Sequence, residues 1–292
     1  MQPQSNNPAM ARWRTFLILG RVSNLPTVWS NCLAGWWLGG AGNVGKLPWL
    51  VIGMTCLYLG GMFLNDAFDA DFDRQHRAER PIVSGAMSLE AVWRWGLAWL
   101  ASGAFCLIWL GSLTGTLGVA LLVCIVLYDA LHKMIPAAPV LMGACRLLVY
   151  VIAASAGSTG VTGWAAWCGL ALMAYVVGLS CLARHESAGG PSDYFSLVLL
   201  AVPIVLALIM NGGSYREAAL LLSAVLALWI IRSLRPLFWS PEPDVKGAVS
   251  NLLAGIVFVD LLAVLDVPRA AGLVFLVCFA AALLARRYIP AT

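Results

Sequence analysis

Ten uninterrupted apolar runs dominate this chain, each close to the roughly 20 residues an α-helix needs to cross a bilayer. They fall at about 22–41, 48–66, 91–111, 113–130, 137–158, 163–183, 194–211, 217–234, 248–265 and 268–285. The last two are parted only by a few residues around Asp266 and Pro268, so they count as one span or two. β-branched residues are common in the runs, but the hydrophobicity is continuous, not alternating. Lipid-exposed backbone must satisfy its own hydrogen bonds, so helices are expected and a barrel is not. Charged residues make up 11% of 292, against roughly 25% in a soluble domain. The reading is all-α: a polytopic transmembrane bundle of nine or ten helices.

Basic residues set the orientation. With the N-terminus cytoplasmic, every lysine and arginine except Lys46, Arg216 and Arg269 falls on the cytoplasmic side, Arg146 among them. That is a strong positive-inside bias, and the expected location is a bacterial inner (cytoplasmic) membrane with its active loops facing inward. The net charge of +4 follows from topology and gives no reason to invoke nucleic acid. The polar stretch MQPQSNNPAMA lacks a basic signal-peptide segment; residues 1–11 read as a disordered tail and 12–292 as one domain. The 8 cysteines stand singly without a CxxC pair and read as small buried apolar residues.

Polar residues near spans carry the information in such a chain. They gather at four places on one predicted face: 63–81, 128–139 (YDALHKMIPAAP), 182–194 (LARHESAGGPSDY) and 233–255. A weak echo links the spans entering the first and third. Tyr58, Gly61 and Asp69 align without gaps on Tyr175, Gly178 and Glu186.

The stretch FLNDAFDADFDRQHRAERP places Asp66, Asp69 and Asp73 at i, i+3 and i+7, one face of a helix about 10 Å long. Bare carboxylates so placed repel one another and resist desolvation. A divalent, oxygen-preferring cation removes both problems, and Mg²⁺ typically takes one or two carboxylates plus substrate phosphates. Arg74, Arg77 and Arg80 follow at once and can fork onto phosphate oxygens. A solvated acidic loop with ordinary flanking arginines is the bland alternative; the density, the phasing and the start inside an apolar run argue against it.

NDAFDADFD, with RPIVSG (80–85) close behind, resembles the first signature of the UbiA superfamily of intramembrane prenyltransferases. YDALHK, Gly143 in LMGACR and DVKGAVSNLLAG (244–255) resemble its later blocks. RVSNLPTVWSNCLAG (21–35) and GLSCLARHE are similar to a divergent branch that includes the proteins called EboC. The resemblance implies about nine helices around a central cavity and Mg²⁺-dependent transfer of an isoprenyl group from its diphosphate to a lipophilic or aromatic acceptor. Carried over, Asn65, Asp66, Asp69 and Asp73 hold Mg²⁺-diphosphate, Arg77 and Lys133 meet phosphate oxygens, and Arg21 and Asn24 face the cavity. Aromatic faces such as Tyr128 can stabilise a carbocation, and His132 can contact phosphate or act as a base.

A second aspartate-rich motif is expected after the sixth span, where the chain has ARHESAGG instead. Either Glu186 supplies a second metal ligand with Arg184 and His185 meeting phosphate, or that site is degraded. Asp260 is an intramembrane acid, by default a functional candidate. The leading function is prenyl transfer to an aromatic or other electron-rich acceptor. The alternatives are a glycerol phosphate or sugar acceptor on the same fold, and a non-catalytic isoprenoid-binding or transport protein.

Overall fold

The computed structural model describes residues 8–188, 194–238 and 244–289. Their regular structure is helical throughout. In chain order the helices are α1 Pro8–Leu19, α2 Leu25–Leu38, α3 Lys46–Phe68, α4 Ala70–His76, α5 Leu89–Leu110 and α6 Ser112–Leu131. They continue as α7 Ala138–Ser155, α8 Gly163–Ala188, α9 Tyr194–Met210, α10 Arg216–Phe238, α11 Val245–Ala263 and α12 Arg269–Ala285. Each of the ten apolar runs matches one helix, and the last two runs are separate helices. Among the described residues 7 helices are long and apolar enough to cross a membrane: α3, α5, α6, α7, α8, α10 (with the turn before it) and α11. Helices α9 and α12 are apolar but shorter, at 17 residues each. Helix α1 begins at Pro8, inside the stretch expected to be a disordered tail.

Local chemistry explains the boundaries. Ser88 caps α5 by accepting from the Ala91 N–H, with Glu90 in the first turn, where the helix dipole favours an acid. Asp244 caps α11 by accepting from the Gly247 N–H at 2.8 Å. Gly111 alone joins α5 to α6, at φ 156° and ψ 159°. That region is essentially open only to glycine, so a single residue reverses the chain.

Two apolar cores result. One joins α3, α5 and α6 to parts of α2 and α7 around Leu50, Met54, Leu57 and Leu107. The other joins α8 to α12 around Leu172, Tyr175, Leu252 and Ile256, again with parts of α2 and α7. Helices α2 and α7 therefore form the seam of the bundle. Their backbones approach closely because Gly35 and Gly39 carry no side chain: a methyl at Gly39 would lie 2.2 Å from the Ala154 carbonyl oxygen, and one at Gly35 2.6 Å from that of Tyr150. Small residues at helix contacts are the usual solution where burial from lipid adds little.

Gly39→Val is expected to lower the thermal midpoint of the detergent-solubilised protein and its monodisperse fraction, since forced overpacking costs about 1–3 kcal/mol or more. Gly163→Ala, with nothing within 4 Å of the added carbon, should leave both unchanged.

Candidate active site

The aspartate-rich stretch begins within the last turn of α3 and continues through a slight break at Asp69 into α4. The backbone hydrogen-bond pattern crosses that break: Asp69 N–H donates to Asn65 O, Asp73 N–H to Asp69 O and Arg77 N–H to Asp73 O, at 3.0, 2.9 and 2.8 Å. The three carboxylates consequently share one face, and all are buried, Asp66 at 3%, Asp69 at 7% and Asp73 at 2% exposure. Asp71, on the opposite side, is exposed and pairs with Arg74.

The buried carboxylates are paired with cations delivered by several different segments. Arg21, at the turn between α1 and α2, donates from Nη2 to Asn65 Oδ1 (3.0 Å) and Asp66 Oδ1 (3.1 Å). Its backbone is left-handed, φ 41°, an uncommon conformation for a non-glycine residue that surrounding contacts must hold. Arg80 lies in the turn after α4, which folds back through the Ser84 N–H to Arg80 O and Met87 N–H to Pro81 O bonds. Its guanidinium reaches Asp66 at 3.6 Å and Asp73 at 4.0 Å. Lys133, just beyond α6, places Nζ 2.6 Å from Asp69 Oδ1 and 4.0 Å from the centre of the Phe72 ring. Arg77 is more exposed and only 3.9 Å from Asp73.

His132 completes the ring. Its Nδ1 sits 3.1 Å from the Asp129 carbonyl oxygen and its Nε2 3.4 Å from Asp69. Two acceptors on two ring nitrogens favour the imidazolium. Burial opposes that charge, but Asp69 outweighs it and raises the His132 pKa. Burial likewise opposes ionisation of Asp69, yet the hydrogen bonds from His132 and Lys133 hold its carboxyl below the usual range. For Asp73 burial wins over Arg80 and Arg77, and its pKa is raised.

Of the other expected site residues, Asn65 is at the centre, Tyr128 stacks on His132 with ring centroids 5.2 Å apart, and the Asn24 side chain is hydrogen-bonded to Tyr58. Arg184 donates to the carbonyls of Ile135 (3.1 Å) and Pro136 (2.9 Å), which ties the end of α8 to the loop bearing Lys133. His185 and Glu186 lie on α8, but their side chains are outside the described residues. Two site residues escaped the sequence reading. Asp129, 3% exposed, accepts from Asn65 Nδ2 at 3.2 Å; it was visible beside Tyr128 in YDALHK. Arg80 was noted only as one of three arginines, and its central position depends on the fold-back turn.

The donor set fits a hard divalent cation. Asp66 Oδ2, Asp73 Oδ1 and Asp129 Oδ2 are buried oxygens with no hydrogen-bond partner, the situation a bound cation relieves. Among the described residues no group of three or more His, Cys, Asp or Glu is assembled to hold a metal by itself.

A membrane-type helical bundle with buried carboxylates and convergent cations at one end defines the class: an integral membrane protein with a charged site at one end of its bundle. The UbiA prenyltransferase family model matches residues 23–253, and the chain belongs to that family. Digeranylgeranylglyceryl phosphate synthase of Ignicoccus hospitalis is 34% identical over 107 residues, 37% of this chain and 35% of that protein. The match thus spans about a third of that relative's length. A UbiA homologue from Aeropyrum pernix K1 superposes with a TM-score of 0.67 at 19% identity, over 85% of this chain and 98% of its own. A UbiA homologue from Archaeoglobus fulgidus, bound to GPP and Mg²⁺, superposes at 0.65 and 13% identity, over 93% and 99%. At these identities the likeness is one of fold.

Asp129→Ala should destabilise the detergent-solubilised protein by about 1–3 kcal/mol, the usual cost of leaving a buried donor unpaired, here the Asn65 amide. Asp129→Asn, which keeps an acceptor, should cost less in the same thermal unfolding measurement.

Proposed function

We propose that this chain is a Mg²⁺-dependent intramembrane prenyltransferase that moves an isoprenyl group from its diphosphate to the free hydroxyl of a lipophilic glycerol phosphate. The observation that carries the reading is the set of buried carboxylates with unpartnered oxygens, ringed by Arg21, Arg80, Lys133 and His132. The acceptor class rests on the Ignicoccus relative, whose named product is a glyceryl phosphate bearing two geranylgeranyl groups. It favours the glycerol phosphate alternative over the aromatic acceptor that the sequence suggested first.

In this reading Asp66, Asp69 and Asp73, with Asn65, hold the metal and its diphosphate. When bound, Mg²⁺ neutralises the charge that gathers on the departing diphosphate. Arg80, Arg77 and Lys133 are close enough to the carboxylates to exchange them for phosphate oxygens, where charge-assisted bonds are strongest. As the allylic C–O bond breaks, its electron pair leaves with the diphosphate, the acceptor oxygen bonds to the allylic carbon, and the hydroxyl proton passes to an oxygen of the released diphosphate. Arg21 keeps Asp66 oriented throughout. The Tyr128 ring, stacked on His132, offers a face to the developing carbocation. Glu186 is assigned the part of a second carboxylate, with His185 beside it. The anchoring of neighbouring Arg184 to the Ile135 and Pro136 carbonyls supports this, because it brings the end of α8 beside the Lys133 loop. The basic-residue bias supports a cytoplasmic orientation for this end of the bundle.

The test is transfer by purified protein supplied with Mg²⁺, a series of isoprenyl diphosphates, and either geranylgeranylglyceryl phosphate or hydroxyaromatic acceptors. An ether product with the glyceryl phosphate is expected, lost on chelation and restored by Mg²⁺. Asp66→Asn and Asp69→Asn should each lower kcat/KM by about 100-fold or more, roughly 2.7 kcal/mol of transition-state stabilisation. Undiminished transfer in both variants would rule the reading out.

A further inference from the structure

Deeper in the bundle, at the seam of α2 and α7, lies a second set of ionisable groups that the clamp does not use. Asp260 of α11 is fully buried. It accepts from Ser30 Oγ and from the Tyr150 hydroxyl, and from Asn31 Nδ2 at 2.9 Å on each oxygen. Asn31 in turn accepts, through Oδ1, from Arg146 Nη1 at 2.7 Å, and Arg146 Nη2 donates to Thr27 Oγ1 at 3.2 Å. Thr27 donates to the Asn24 carbonyl at 2.8 Å, so a polar chain runs from the mouth of the bundle inward.

The sequence reading counted Arg146 as a cytoplasmic charge. It stands instead eight residues into α7, about 12 Å along the helix. Its guanidinium meets Thr27, which bonds the carbonyl of Asn24 at the end of the turn that begins with Arg21, and this puts Arg146 one layer below the clamp.

The pair is asymmetric. Asp260 is sealed by four donor contacts from three side chains of α2 and α7, whereas Arg146 is only part-buried. An amide is interposed where a direct ion pair would otherwise close: Arg146 and Asp260 touch different ends of Asn31. A purely structural pair gains most by direct contact, since charge attraction falls with separation. Here the carboxylate supports the guanidinium at a distance and leaves its charge uncancelled. A charged group kept within a span marks a functional position by default, and a guanidinium is suited to forked recognition of phosphate or carboxylate.

We propose that Arg146 is the acceptor-binding cation of this protein: it receives the anionic head group of the acceptor, while the clamp above holds the donor diphosphate. Thr27 and Asn31 position its guanidinium, and Asp260 keeps it charged inside the bundle. The inference rests on the prenyl-transfer reading for the identity of the acceptor, and it adds the residue that selects an anionic acceptor over a neutral one.

The experiment is equilibrium binding to the full-length protein in detergent, with geranylgeranylglyceryl phosphate, its dephosphorylated diol, and an unreactive diphosphate donor analogue with Mg²⁺. The wild type is expected to prefer the phosphate over the diol by about tenfold or more, the scale of a charge-assisted contact. Arg146→Met should bring that preference to within about twofold and leave donor-analogue affinity within about twofold of wild type. A wild type without the preference, or Arg146→Met with the wild-type preference, overturns the proposal. Should Arg146→Met fail to fold, Arg146→Lys decides, because it keeps the charge but loses the fork: a preference reduced about threefold or more supports the proposal, and an unchanged one overturns it. A hydroxyaromatic carboxylate and its methyl ester, run in parallel, tell whether the anion is a phosphate or a carboxylate. Because the readout is binding, a wild type that shows the preference yet forms no ether product would fail the functional reading and leave the subsite standing.

Discussion

Everything at the active end of this bundle follows from burying three carboxylates on one helix face, each less than 10% exposed. An uncompensated buried charge is strongly destabilising, on the order of 3–5 kcal/mol when its partner is removed. The compensation cannot come from α3 and α4 alone, because Arg74 points away to the exposed Asp71. It comes from the α1–α2 turn through Arg21, from the fold-back turn through Arg80, and from the end of α6 through His132 and Lys133. The same ion pairs that make the aspartates tolerable thus fix the segments that must surround a ligand. In the proposed reading, a cation on the carboxylates would weaken the hold on Arg80 and Lys133 and free them for phosphate oxygens.

The parts of this arrangement that are local were legible in the sequence. The apolar runs are long and uninterrupted, and each matches a helix. The i, i+3, i+7 phasing of Asp66, Asp69 and Asp73 survives the break at Asp69 because the i to i+4 backbone bonds continue through it. What the sequence hid is tertiary. Arg80 is central, and Arg77 peripheral, because the chain turns back between Arg77 and Met87. Arg146 was counted to the cytoplasmic side by charge counting, which places a residue relative to loops and says nothing about a polar partner such as Asn31 waiting inside. Asp129 looks like an ordinary loop acid until Asn65, 64 positions earlier, is seen to donate to it.

The seam between α2 and α7 explains why a polar chain can exist so deep. Both helices contribute to the two apolar cores, and Gly35 and Gly39 let their backbones meet. At that distance the short side chains of Thr27, Ser30 and Asn31 reach Arg146 and Asp260 by direct hydrogen bonds. With larger residues at 35 and 39 the helices would stand apart, and the same polar groups would be left unpaired in a medium that penalises them heavily. Close packing and buried polarity are therefore one feature of the seam.

The weak sequence echo between α3 and α8 has a physical counterpart. Tyr58 donates its hydroxyl to the Arg21 carbonyl, and Tyr175 donates its own to the Leu252 carbonyl, each from a long helix to a neighbour's backbone. Gly61 and Gly178 both sit where an added methyl would meet a neighbouring element, at 2.9 Å from Ile125 and 2.7 Å from the Ser196 carbonyl oxygen. The third aligned pair is Asp69 with Glu186. The correspondence of the first two pairs supports the proposal that Glu186 is the second carboxylate. The halves differ in how the acid is kept. Asp69 is enclosed by cations of its own half, whereas the arginine nearest Glu186 is spent on the Ile135 and Pro136 carbonyls of the other half. Arg184 thereby docks the end of α8 onto the loop that bears Lys133.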